Sequence, residues 1–156
     1  MPSWVKNNAL TLGIAAAALI VVFFGMTFLS QAPANAMTVY KSPTCGCCAA
    51  WIDRMREAGF AVTVKEIDDM TPIKIDAGIT EETVSCHTAF VDGYVFEGHI
   101  PAEDILRFLA ENPDAKGLAV AGMPLGSPGM DFDDEKEPYD VILIGKDGSS
   151  SVYAHH

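Results

Sequence analysis

The chain is short of positive charge. Ten Lys and Arg residues stand against 21 Asp and Glu in its 156 residues, a formal net charge of −11. Lys6 is the one basic residue of the first 36, so the remainder sets nine basic against 21 acidic residues, or −12. That balance argues against nucleic acid and anionic lipid surfaces as partners. No internal repeat is visible. Ser127 has no evident histidine and carboxylate partners, which removes a hydrolase reading. Cysteine is scarce too, with four in all, and three of them crowd into Cys45-Gly46-Cys47-Cys48. Two structural disulfides would be the ordinary use of four cysteines in an exported domain. Here Cys47 and Cys48 are adjacent, and a Cys45–Cys48 bridge closes too small a loop to stabilise much. Its spacing is that of a redox pair.

One long apolar run is present, from Ala9 to Leu29, behind Lys6 and ahead of Ser30-Gln-Ala-Pro-Ala-Asn-Ala36. Ala34-Asn35-Ala36 fits the small-residue pattern of signal-peptidase cleavage, which predicts an exported chain starting at Met37. The run is also long enough to span a bilayer, so residues 9–29 retained as an N-terminal anchor are the alternative. Both place the domain over residues 37–156 outside the cytoplasm, periplasmic or otherwise extracytoplasmic.

Hydrophobic content of 49% is enough for one compact domain. Met37 to Lys41 reads as a strand and Ala49 to Ala58 as a helix with Trp51, Ile52 and Met55 on one face, ended by Gly59. Ala61 to Ile67 alternates as a second, parallel strand, completing a βαβ unit. Thr71-Pro72 opens a short helix and Thr80-Glu81-Glu82 another turn. Asp92-Gly93 between apolar runs marks a hairpin joining Val84–Val91 to Tyr94–Gly98. Pro101 starts a helix whose buried face is Ile105, Leu106, Phe108 and Leu109, stopped by Asn112-Pro113. From Leu118 to Met130 the chain reads as a Gly/Pro-punctuated loop, and from Asp131 to Glu137 as a solvated acidic run. Tyr139–Ile144 and Ser149–Ala154 form a second hairpin added at the sheet edge, with His155 and His156 frayed beyond it. The fold class is α/β, with a thioredoxin-like βαβ–ββα core and an added C-terminal hairpin.

The cysteine turn falls where strand hands over to helix, so three thiols sit on a first helical turn. The exposed N–H groups and the positive dipole end favour thiolate there. Thiolates are nucleophiles and soft-metal ligands alike. In glutaredoxin-like domains a Val-Pro pair before the third strand faces the redox cysteines; here Cys86-His87 takes that place. A fourth thiol and an imidazole suit a soft metal better than a dithiol oxidoreductase. Thiolate sulfur suits Cu(I), Zn(II) or iron–sulfur clusters. Three ligands within four residues crowd a single tetrahedral Zn(II), whereas sulfurs bridging several Cu(I) ions need such crowding. Met123 and Met130, in a loop stiffened by Pro124 and Pro128, offer thioethers of the same preference. His87 and His99 complete the candidate ligands, although a buried histidine or a residue at a helix start would look the same.

Four motifs occur together and in order: Cys45-Gly46-Cys47-Cys48, Ser85-Cys86-His87-Thr88, Glu97-Gly98-His99-Ile100-Pro101 and Gly122 to Met130. In this the chain resembles, from about Thr38 to Tyr153, a family of exported metal-binding proteins labelled a domain of unknown function, which includes a bacterial copper-resistance protein. The resemblance implies a thioredoxin-like fold and copper handling outside the cytoplasm.

The expectation is an exported protein holding Cu(I) in a multinuclear thiolate site of Cys45, Cys47, Cys48 and Cys86. His87, His99, Met123 and Met130 stand beside them. Its partners are copper ions and another exported copper-handling protein, with a membrane reached only through an uncleaved leader. A thiol–disulfide oxidoreductase using Cys45 and Cys48, or a copper oxidoreductase, is the enzymatic alternative; a structural zinc domain is the third.

Overall fold

The computed structural model describes residues 35–132 and 134–156. The leader and its cleavage or anchor alternatives lie outside the described residues up to position 34, as does Asp133 of the acidic run. Among the described residues, no helix is long and apolar enough to cross a membrane.

The elements follow the hydrophobic pattern. Strand β1 (Ala36–Lys41) leads into helix α1 (Gly46–Glu57), which returns the chain to strand β2 (Ala61–Glu66). β1 and β2 pair in parallel, from Ala36 against Ala61 to Lys41 against Glu66. Helix α1 buries Trp51, Ile52 and Met55, the face that the apolar spacing predicts, together with Cys48. After helix α2 (Thr71–Ala77) come strands β3 (His87–Val91) and β4 (Tyr94–Glu97). Asp92 and Gly93 between them both adopt positive φ, 50° and 85°, as a two-residue hairpin turn requires. Helix α3 (Ala102–Glu111) ends at Asn112 in the left-handed region. It buries Asp104, Ile105 and Phe108, while Leu106, expected on the inner face, is exposed. Asp104 takes an inner position because His156 and Arg107 pair with its carboxylate.

Two further expectations are corrected. Gly117–Ala119 lies inside the stretch read partly as loop, yet it forms strand β5, buried throughout, between β4 and strand β6 (Asp140–Ile144). Gly117 is what lets it pair, since a Cβ there would overlap the Val95 backbone. The C-terminus is not frayed. Strand β7 (Ser150–His155) includes His155, and His156 exchanges backbone hydrogen bonds with Tyr139 at 2.9 and 3.1 Å. Among the described residues the result is one seven-stranded mixed sheet, β2-β1-β3-β4-β5-β6-β7, with three helices. The expected β-α-β, hairpin, helix order and the added C-terminal hairpin are both present, with β5 joining them.

The core runs from Met37 and Val39 through Trp51, Met55, Phe96, Ile105 and Phe108 to Leu118 and Val141. Trp51 is fully buried, and its indole N–H donates to the Ile100 carbonyl at 2.9 Å. This bond ties α1 to the segment between β4 and α3. The two cysteine-bearing stretches, α1 and the approach to β3, meet above that anchor.

Candidate metal centre

Cys45 is the N-cap of α1, and its sulfur accepts the Cys48 backbone N–H at 3.3 Å. Gly46, Cys47 and Cys48 follow as the first turn, so the three cysteines sit where the sequence places them. Cys45 and Cys48 are joined as a disulfide, while Cys47 and Cys86 are free thiols. Cys47 Sγ lies 3.5 Å from Cys45 Sγ. Cys86, immediately before β3, completes the group: all four sulfurs lie within 4.8 Å of one another.

A second ligand group shares Cys86. The Cys86 sulfur, one nitrogen of His87 and one of His99 also lie within 4.8 Å of one another. His99 Nε2 is 2.9 Å from Cys86 Sγ, and His99 Nδ1 is 2.8 Å from the Pro128 carbonyl. A carbonyl only accepts, so Nδ1 carries the proton and Nε2 presents its lone pair to the sulfur. Backing of a ligating imidazole by a carbonyl in this way is a recurrent feature of metal sites. His87 Nδ1 lies 3.4 Å from Cys86 Sγ, with its ring 4.3 Å from that of Trp51. His87 Nε2 is buried without a hydrogen-bond partner. An orphaned buried nitrogen is costly; the ring nitrogen nearer the Cys86 sulfur, the one placed to serve a soft cation there, is Nδ1.

The electrostatics separate the groups. Burial, and then the negative charge of Cys47, push the Cys86 thiol up to about 12. Unlike Cys45, Cys47 and Cys48, it does not lie on the first turn of a helix. A soft cation has to displace its proton. Burial holds both imidazoles below the ordinary histidine range; for His87 the depression is large and is deepened by His99 and Lys74. Both rings are therefore neutral at neutral pH, the form in which imidazole binds metal.

The Gly/Pro-rich loop lies against the first turns of α1. Gly129 has φ +85°, and a Cβ there would stand 2.7 Å from the Cys47 carbonyl oxygen and 2.8 Å from Trp51 N. Met130 follows, half-buried, whereas Met123 is 52% exposed on the outer part of the loop. Ser127 is buried and donates its hydroxyl to the Pro124 carbonyl at 2.7 Å, a turn-forming bond. His155 pairs with Asp140 and His156 with Asp104, both away from the cysteines.

Sequence reasoning missed one set of residues around the site. Glu97 at the end of β4 is fully buried, and its carboxylate accepts from Thr88, Ser85 and Lys74. A charged residue closing the otherwise apolar Tyr94-Val95-Phe96 run is the signal that it needs partners.

The comparisons agree with this geometry. A family described as "Protein of unknown function, DUF411" matches residues 83–130, which hold Cys86, His87, His99 and the Gly/Pro loop. Two solved structures of one protein match far more of the chain. "Copper resistance protein copG- Form 2" is 42% identical, covers 78% of this chain and 97% of its own, and superposes with a TM-score of 0.74. "Copper resistance protein copG- Form 1" gives the same identity, TM-score and coverage of this chain, with 96% of its own. The chain belongs to the CopG family. No curated protein matches it.

Proposed function

We propose that the chain is an exported copper-binding protein that holds Cu(I) as cargo for copper resistance or homeostasis. Cys45, Cys47, Cys48 and Cys86 supply bridging thiolates once the Cys45–Cys48 disulfide is reduced. His99 and His87 supply nitrogen at the Cys86 side, and Met130 and Met123 are the candidate thioethers. The observation that carries this reading is the fourth sulfur: Cys86, on the approach to β3, lies within 4.8 Å of three cysteines on one helical turn. Four sulfurs exceed what one linear or trigonal Cu(I) needs, and with three of them on one helical turn they suit several bridged Cu(I) ions. A leader at residues 1–36, cleaved or retained through residues 9–29, puts the site outside the cytoplasm. Transfer to another exported copper-handling protein would proceed by stepwise ligand replacement at the half-buried Cys45, Cys47 and Cys86.

A second reading rests on its own observation. The Cys45–Cys48 disulfide is formed, with Cys45 at a helix N-terminus, the arrangement of a thiol–disulfide oxidoreductase. Against it, the entry to β3 carries Cys86-His87 rather than an apolar residue and proline. A single structural Zn(II) on the four cysteines is the third reading.

Anaerobic titration of residues 37–156 with Cu(I) against a competing chelator distinguishes them, run beside Cys86→Ser. More than one tightly held copper per chain, lost in the variant, is the expected result. No competitive copper binding, or equal retention without Cys86, overturns it. Unfolding by a zinc chelator would favour the structural ion instead.

A further inference from the structure

Cys86 lies on an irregular segment, yet it has to hold its sulfur against partners on α1 and on the approach to α3. The chain on both sides of it is fastened to one carboxylate. Ser85, the preceding residue, donates its backbone N–H to Glu97 Oε1 at 2.7 Å. Thr88, two residues after, donates its hydroxyl to Glu97 Oε2 at 2.6 Å. Lys74 reaches in from α2, a helix that buries none of its own residues, to donate to Glu97 and to Thr88 Oγ1 at 3.2 Å. Glu97 is fully buried, and these donors satisfy its carboxylate oxygens.

The next residue closes the clamp. Gly98 donates its N–H to the His87 carbonyl at 3.0 Å, and its φ of +77° places it so near Ser85 that a Cβ would stand 2.5 Å from the Ser85 Cβ. The Ser85 hydroxyl donates to the Gly122 carbonyl on the loop beyond β5. Beside the β1–β3 ladder, in which His87 and Thr88 pair with Lys41 and Tyr40, these fixed points of the Cys86 segment lead to Glu97, to its neighbour, or to the loop covering the site. A buried carboxylate–ammonium pair stabilises a fold no better than apolar side chains of the same volume. What it adds is direction, since two oxygens accept from donors three residues apart in sequence.

We propose that Glu97 is a positioning residue for Cys86, whose buried carboxylate anchors the chain on both sides of that thiol and so sets the fourth sulfur against the α1 cysteines and His99. The inference rests on the copper-binding reading and deepens it. Glu97 touches no candidate ligand; it acts through Ser85 and Thr88.

The test compares Thr88→Val, which keeps the shape and loses the hydroxyl, with Thr88→Ser, which keeps the hydroxyl and loses a methyl. Glu97→Gln is made alone and in the Cys86→Ser background. Copper retention is read by Cu(I) competition, fold by thermal denaturation, and Cys86 geometry by its alkylation rate in the reduced, metal-free protein. Thr88→Val and Glu97→Gln are expected to weaken copper retention about tenfold or more and to change the Cys86 alkylation rate. Thr88→Ser is expected to retain copper as the parent does, even with a lowered melting temperature. Glu97→Gln is expected to add nothing once Cys86 is serine. Retention that follows melting temperature across the set, or an equal loss from Glu97→Gln with and without Cys86, overturns the proposal. If Glu97→Gln does not fold, the Thr88 pair decides. If the parent binds no copper, the functional reading fails, and an alkylation rate unchanged in Thr88→Val overturns the positioning role as well.

Discussion

His99 and Cys86 face each other across 2.9 Å, nitrogen to sulfur, with the other imidazole nitrogen held by the Pro128 carbonyl. The loop that covers the site thus fixes the tautomer of a residue inside it. Replacing His99 with Gln removes the aimed lone pair. Copper retention is expected to fall by roughly 10- to 100-fold, the range seen when the surroundings of a metal ligand are lost. A Cu(I) competition titration checks this, and retention equal to the parent would remove His99 from the ligand set.

The disulfide makes a second prediction. With Cys45 and Cys48 bonded, Cys47 and Cys86 are the free thiols. Mass spectrometry after alkylation of the unfolded chain should find two modified cysteines before reduction and four after. Cu(I) loading should be lower in the oxidised protein, because two of the four sulfurs are then bonded to each other. Equal loading in both states would contradict a site built on all four.

The covering loop gives a third. Gly129→Ala would drive a Cβ toward the Cys47 carbonyl oxygen and Trp51 N at a φ of +85°, so the loop must lift from α1. The strain and the lost contacts should cost on the order of 1–3 kcal/mol. Lifting the loop also withdraws Pro128 from His99. A lowered melting temperature together with weaker copper retention is expected; weakened folding with unchanged retention would separate the loop from the site.

A fourth concerns acid. The folded-state pKa values of His87 and His99 lie below the ordinary histidine value of about 6.5. The unfolded chain takes up protons as pH falls below that value while the folded chain does not, so the unfolded state is favoured. The contribution of these histidines to stability is thus present above about pH 6.5 and is lost as pH falls toward their folded values. Melting temperatures of the reduced, metal-free protein should decline from pH 7 to 5, less steeply in His87→Gln. A flat profile would contradict two buried neutral histidines.

Much of this architecture was legible in the sequence because local rules and tertiary packing agree there. Asp92-Gly93 demands a hairpin, and Trp51, Ile52 and Met55 share a helical face, so β3, β4 and α1 follow. The cysteine turn was legible for the same reason, whereas the partnership of Cys86 with it was legible only by placing Cys86-His87 where glutaredoxin-like domains keep a Val-Pro pair. Gly117–Ala119 was not, because three residues between glycine and proline-rich sequence have no periodicity of their own; β4 and β6 on either side make them a strand. His156 looked like a loose end because Asp104, its partner, is 52 positions away. The role of Glu97 was hidden likewise, since its donors come from Lys74 on α2 and from Ser85 and Thr88 on either side of Cys86. Sequence shows which residues are chemically capable; only the fold shows which of them a buried charge has tied together.

X-ray absorption at the copper edge of the anaerobically loaded protein tests the central claim most directly. A first shell dominated by sulfur with a minor nitrogen component, and copper–copper scattering beyond it, is the result this account predicts. A shell of nitrogen and oxygen, or a lone copper with no metal neighbour, would contradict it.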